Sequence, residues 1–85
     1  MEFSNAMRLK IISIAKSKKL KFTDLSKKSG IKYSTLLSFL NGKHKTITIH
    51  NLNKICIALD TTLQEFFDDK MFIDVIDETE RKSKK

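Results

Sequence analysis

A chain of 85 residues with no proline and only two glycines has few places where its backbone can turn sharply. Both glycines, Gly30 and Gly42, directly follow segments whose apolar residues recur at helical spacing. Glycine adopts a positive φ without a Cβ clash, so it commonly ends a helix and redirects the chain. No strand-like alternation of apolar and polar residues and no repeat occurs before residue 70. The pattern therefore predicts an all-α fold of short helices in one domain.

Residues 7–20 carry Met7, Ile11, Ile14 and Ala15 on one stripe, with Leu9 and Ile12 beside it, as an amphipathic first helix requires. Lys16, Lys18, Lys19 and Lys21 gather at its end, where cations suit the helix dipole. A second helix is expected from Phe22 or Thr23 to Ser29, with Leu25 inward and Gly30 as its stop. A third is expected over 33–40, with Leu36, Phe39 and Leu40 on one side and Asn41-Gly42 ending it. Thr48 is a suitable N-cap for a fourth helix over 49–59, with Ile49, Leu52, Ile55, Cys56 and Leu59 as its buried stripe. Asp60-Thr61 marks the next break. Thr62-Leu63-Gln64-Glu65 has the Thr-x-x-Glu form of a capping box and opens a fifth helix through Phe67.

Residues 1–6 are expected to form an N-terminal extension, with Ser4-Asn5-Ala6 assigned no function and native sequence weighed against a tag remnant. The folded domain is expected over 7–68. From 69 to 85 the chain is acidic and then basic, around an apolar island of Met71, Phe72, Ile73, Val75 and Ile76, and its last residues are expected to be disordered.

The formal charge of +7 is unevenly spread: residues 1–60 hold 12 Lys/Arg against 3 Asp/Glu, and residues 61–85 hold 5 against 7. The positive field is concentrated where a polyanion would be met. No apolar run reaches the ~20 residues of a membrane span. The single cysteine excludes an internal disulfide, and no secretory signal opens the chain, both pointing to a reducing cytoplasm.

The informative segment is 25–43. Two short helices meet at a glycine turn, with Leu25, Ile31, Leu36 and Phe39 as apolar pins. Ser34, Thr35 and Ser38 leave the free face of the second of these helices small and polar. Such a face enters a major groove ~12 Å wide without clashing. Ser34 and Ser38, four residues apart, project from the same side.

This arrangement resembles the lambda-repressor-like, Cro-type (XRE) helix-turn-helix family. The resemblance rests on Leu25-Ser26 with Gly30-Ile31, on Tyr33-Ser34-Thr35-Leu36, and on Leu40-Asn41-Gly42-Lys43. It continues through Lys54-Ile55, Ala58-Leu59 and Leu63 with Glu65-Phe66-Phe67. It implies a compact five-helix DNA-binding domain that recognises double-stranded DNA, with no cofactor. Matched position by position, it implies that Lys32, Tyr33, Ser34 and Ser38 read bases or clamp the adjoining phosphate. Asn41, Lys43 and Lys45 fall where the family holds the DNA backbone. Thr23, Thr35 and His44 complete the expected contact set, His44 as a weakly pH-dependent phosphate ligand.

The chain departs from the family pattern in four places. Lys21 and Lys32 stand where capping residues are usual, so Thr23 and Ser34 are expected to cap the second and third helices one or two residues later. Leu37 replaces a commonly polar residue and is expected to extend the edge of the core rather than touch a thymine methyl. The third helix has no glutamine, the usual reader of adenine, so discrimination is expected to rest partly on Tyr33 and on DNA shape.

Plainer readings accompany these. Tyr33 as a half-buried aromatic, Ser34 as only a cap, and Lys43 and Lys45 as a solvated loop all remain open at this point. Cys56 lies on the apolar stripe and is expected to pack. His44 and His50 lack ligand partners at metal-binding spacing, and Asp68, Asp69, Asp77, Glu78 and Glu80 have no nucleophile or base in view. No enzyme is expected. The leading function is a transcriptional regulator or repressor, acting as a homodimer on a palindromic operator. Phe66, Phe67, Met71, Phe72, Ile73 and Ile76 are nominated for the dimer contact, against an equal reading in which this arm folds back on its own domain. The alternative function is an antitoxin-like or anti-regulator module that binds a protein partner through the C-terminal tail.

Overall fold

The structure is a computed structural model that describes residues 2–44 and 46–73. Five α-helices follow one another among these residues: α1 (Phe3–Ser17), α2 (Phe22–Ser29), α3 (Tyr33–Leu40), α4 (Ile49–Ala58) and α5 (Leu63–Phe67). A single 3-10 turn, Lys70–Phe72, closes the described chain. The all-α expectation holds.

Each helix end has a local cause. The backbone N–H of Lys21 donates to Asp24 Oδ2 at 3.3 Å, so α2 starts at Phe22 with an acid reaching back from its first turn. Thr23 and Ser34 are not the caps: α2 and α3 begin one residue before each, after Lys21 and Lys32. Thr48 Oγ1 accepts from Asn51 N–H at 3.0 Å and starts α4. Thr62 Oγ1 accepts from Glu65 N–H at 3.0 Å while Glu65 Oε1 accepts from Thr62 N–H at 3.1 Å, the full capping box expected for α5.

Two helices end on left-handed residues that are not glycine. Lys19 has φ 58° and Asp60 φ 60°. After each, an N–H bonds back five residues: Leu20 to the Ala15 carbonyl at 2.9 Å and Thr61 to the Cys56 carbonyl at 2.9 Å. These bonds occupy carbonyls that a helix end leaves without partners.

The helices share one core. Ile11, Leu25, Leu36, Leu52, Ile55, Cys56, Leu59 and Phe66 are its largest fully enclosed side chains. Helix α2 packs against both α3 and α4, and α1 braces α3. Cys56 lies wholly inside, and burial raises its thiol pKa to about 11.

Three boundaries and contacts differ from the sequence expectation. Helix α1 runs from Phe3 to Ser17 rather than over 7–20, with Ser4 and Ala6 buried. The cause is Phe3, which stacks on Phe67 and meets Phe72 edge-on, drawing the early residues into the fold. Ile49 is 63% exposed instead of buried, and Ile47, three residues after His44, packs half-buried against the core. Phe66 has no exposed surface, so it cannot serve as a dimer contact in this fold. Phe67 and Phe72 are half-buried against each other, against Phe66 and against Phe3. Up to Phe72 the arm therefore folds back on its own domain.

Asp69 fastens that arm. Its Oδ2 accepts from Lys10 Nζ at 2.6 Å and its Oδ1 from Met71 N–H at 3.1 Å. The Lys10 hydrogen bond, then the Met71 N–H, hold its carboxyl below the ordinary range. Met71 is half-buried, Ile73 is exposed, and Ile76 lies outside the described residues.

Candidate nucleic-acid interface

The turn between α2 and α3 is held on both sides. Gly30 sits at φ 76°, where a Cβ would be strained. Ser26 Oγ donates to the Ile31 carbonyl at 2.6 Å, and Ile31 N–H donates to Ser29 Oγ at 3.2 Å. Ile31 plugs the turn at 7% exposure. These contacts fix the angle at which α3 leaves α2.

Helix α3 buries Leu36, Phe39 and Leu40. Lys32, Tyr33, Ser34 and Thr35 are exposed, Ser38 and Leu37 are half-buried, and Asn41 at the C-cap is exposed. Helical spacing therefore puts Ser34, Ser38 and Asn41 along one outward line, with Tyr33 and Leu37 beside it. Leu37 is half-buried but is not among the apolar side chains packed against the core, so the expected extension of the core edge is not seen.

The side chains of Lys32, Tyr33, Ser34, Thr35 and Ser38 make no hydrogen bond or ion pair to another described residue. Lys32, Tyr33, Ser34 and Thr35 are exposed and Ser38 is half-buried, so none of these polar groups is tied to the protein's own backbone. Lys32 gives α3 no side-chain cap, so the first-turn N–H groups are also open. Thr35 sits at the flank, lining a cavity of about 150 Å³ with Leu36, Phe39, Ile47, Thr48 and Asn51.

The loop after α3 continues the surface. Asn41 Oδ1 accepts from Lys43 N–H at 3.0 Å, so Asn41 shapes the loop as well as facing outward. His44 N–H donates to the Ser38 carbonyl at 3.0 Å. Gly42, at φ 87°, makes the bend between them. Lys43 and His44 expose their side chains. Lys45, expected beside them, lies outside the described residues. Thr23 is exposed on the first turn of α2.

Arg8, which the sequence pattern alone does not single out, supports this surface from below. Its Nε donates to the Phe39 carbonyl at 2.7 Å and its Nη2 to the His44 carbonyl at 3.0 Å. A lone arginine inside the apolar stripe of the first helix was the available signal, since a cation seldom occupies that position without a partner.

Among the described residues no cluster of three or more His, Cys, Asp or Glu is placed to hold a metal ion. No helix among them is long and apolar enough to cross a membrane. No curated protein and no solved structure matched the chain. A family model did match, that of the Cro/C1-type HTH DNA-binding domain, over residues 10–70. That span takes in α2, α3 and the loop after it, the elements that build the outward polar face, together with α4 and α5, and the chain belongs to the Cro/C1-type HTH DNA-binding family.

Proposed function

We propose that the protein is a sequence-specific regulator of transcription that places α3 in the major groove of duplex DNA. The observation carrying this reading is the outward line of Ser34, Ser38 and Asn41 with exposed Tyr33, whose side chains other than Asn41 are unspent inside the protein. Rigid support behind a small, polar face is what base reading needs.

Lys32 and Lys43 flank that face, with Lys45 two residues beyond Lys43, and supply the phosphate contacts from which most affinity arises. Thr23 and His44 add to the backbone contacts. The reading is of a binding protein in the cytoplasm, not of an enzyme. One short helix offers few base contacts, so two copies on a palindrome, about 34 Å apart, give the required selectivity. With about three to four phosphates neutralised per protomer, log K should fall against log[salt] with a slope of roughly −5 to −7.

Selection of bound duplexes from a random pool tests the proposal. A palindromic consensus with half-sites one helical turn apart supports it. Indifference to duplex DNA at low ionic strength contradicts it.

A further inference from the structure

Arg8 is 8% exposed, and a buried cation ordinarily faces a carboxylate. Here its hydrogen-bond partners are neutral oxygens. Besides the Phe39 and His44 carbonyls, Nη1 donates to Asn5 Oδ1 at 2.5 Å and reaches Ser4 Oγ at 3.5 Å. The guanidinium carbon lies 5.0 Å from the centroid of the Phe39 ring. The ion pair between Lys10 and Asp69 does not involve it.

The two carbonyls sit at informative places. Phe39 belongs to the last turn of α3, and His44 follows the bend at Gly42. His44 is gripped twice, its N–H by the Ser38 carbonyl and its C=O by Arg8. Between those anchors lie Asn41 and Lys43. One rigid guanidinium thus spans from α1 to both the end of α3 and the loop.

We propose that Arg8 is a positioning residue for DNA recognition, setting the distance between the base-facing side of α3 and the phosphate-facing loop. The inference rests on the DNA-binding reading above. A planar fork satisfies two carbonyls in fixed directions, which the single ammonium of lysine does not. Without the fork, Ser38 and Lys43 lose their common register, and the penalty falls on the correct sequence more than on any duplex.

The test compares full-length wild type, Arg8→Lys, Asn5→Ala and Cys56→Ala. Two duplexes serve as probes, the one wild type selects from a random pool and a scrambled duplex of equal composition. Arg8→Lys should reduce the affinity ratio between them about tenfold, the scale of a single base-specific interaction. Amide exchange at His44 should quicken in the same variant. Cys56→Ala, which weakens only packing, should keep the wild-type ratio at a comparable loss of Tm.

An unchanged ratio in folded Arg8→Lys overturns the proposal, whatever its Tm. If Arg8→Lys does not fold, Asn5→Ala decides, because it frees one edge of the fork from an exposed position. A two- to threefold loss of ratio supports positioning, and none refutes it. A wild-type protein that prefers no duplex overturns the DNA-binding reading, and this inference with it.

Discussion

The ring of Phe3 lies nearly parallel to that of Phe67, 16° between planes and 6.0 Å between centroids, so the two ends of the described chain close on each other. Phe72 meets both rings edge-on. Offset and edge-on aromatic contacts add ~0.5–1.5 kcal/mol beyond the apolar area they bury. Phe3 is only half-buried, so Phe3→Ala is expected to cost about 1.5–3 kcal/mol, less than the ~3–5 typical of a fully enclosed ring. Urea denaturation measures it. A loss below ~0.5 kcal/mol would show that residues 2–6 are dispensable to the fold.

Base reading by α3 predicts an asymmetric loss. Tyr33→Ala with Ser38→Ala should remove roughly 1–3 kcal/mol per specific contact from binding to the selected duplex, while non-specific binding survives. Competition titration against scrambled DNA separates the two. Equal weakening on both duplexes removes these residues from base recognition.

The loop lysines should act on every duplex alike. Lys43→Ala with Lys45→Ala should flatten the salt slope by about 0.9 for each phosphate no longer neutralised, without changing sequence preference. Measuring affinity from low to moderate salt gives the slope directly. An unchanged slope rules both residues out as phosphate ligands.

At Lys19 the backbone holds a left-handed conformation that costs an ordinary residue roughly 1 kcal/mol. Lys19→Gly should therefore stabilise the protein slightly, by up to about 0.5 kcal/mol once the greater unfolded-chain entropy of glycine is subtracted. Thermal unfolding checks the sign.

Asp69 sets a pH dependence. Its carboxyl is depressed in the folded state, first by the Lys10 hydrogen bond and then by the Met71 N–H. Its contribution is present above the unfolded pKa, near 3.9, and is lost as the pH falls toward the folded value. Asp69→Asn should thus lower stability at neutral pH and converge on wild type below about pH 4. Parallel denaturation curves across that range test it; a constant offset would contradict it.

Much of the fold was legible because its signals are local. Thr62 and Glu65 announce α5, Thr48 announces α4, and Gly30 with Ile31 marks the turn, each through hydrogen bonds or sterics spanning a few residues. The misread features depend on distant partners. Phe3 belongs to α1 because Phe67 and Phe72 are there to receive it, and Ile47 packs on the core while Ile49 is left in solvent. Lysines at 21 and 32 precede helices without capping them because packing of Phe22, Leu25 and Leu36 outweighs the missing cap. Spacing sufficed for the outward line of α3. It marked Arg8 only as a cation on an apolar stripe and not its two carbonyl partners, which lie more than 30 residues away.

The most direct measurement is a map of backbone amide shifts as the selected duplex is titrated into labelled protein at low salt. The account predicts that residues from Lys32 through Lys43, with Thr23, shift first and furthest, while the lysines ending α1 stay near their free positions. Shifts gathered on another face, or none at all, would contradict it.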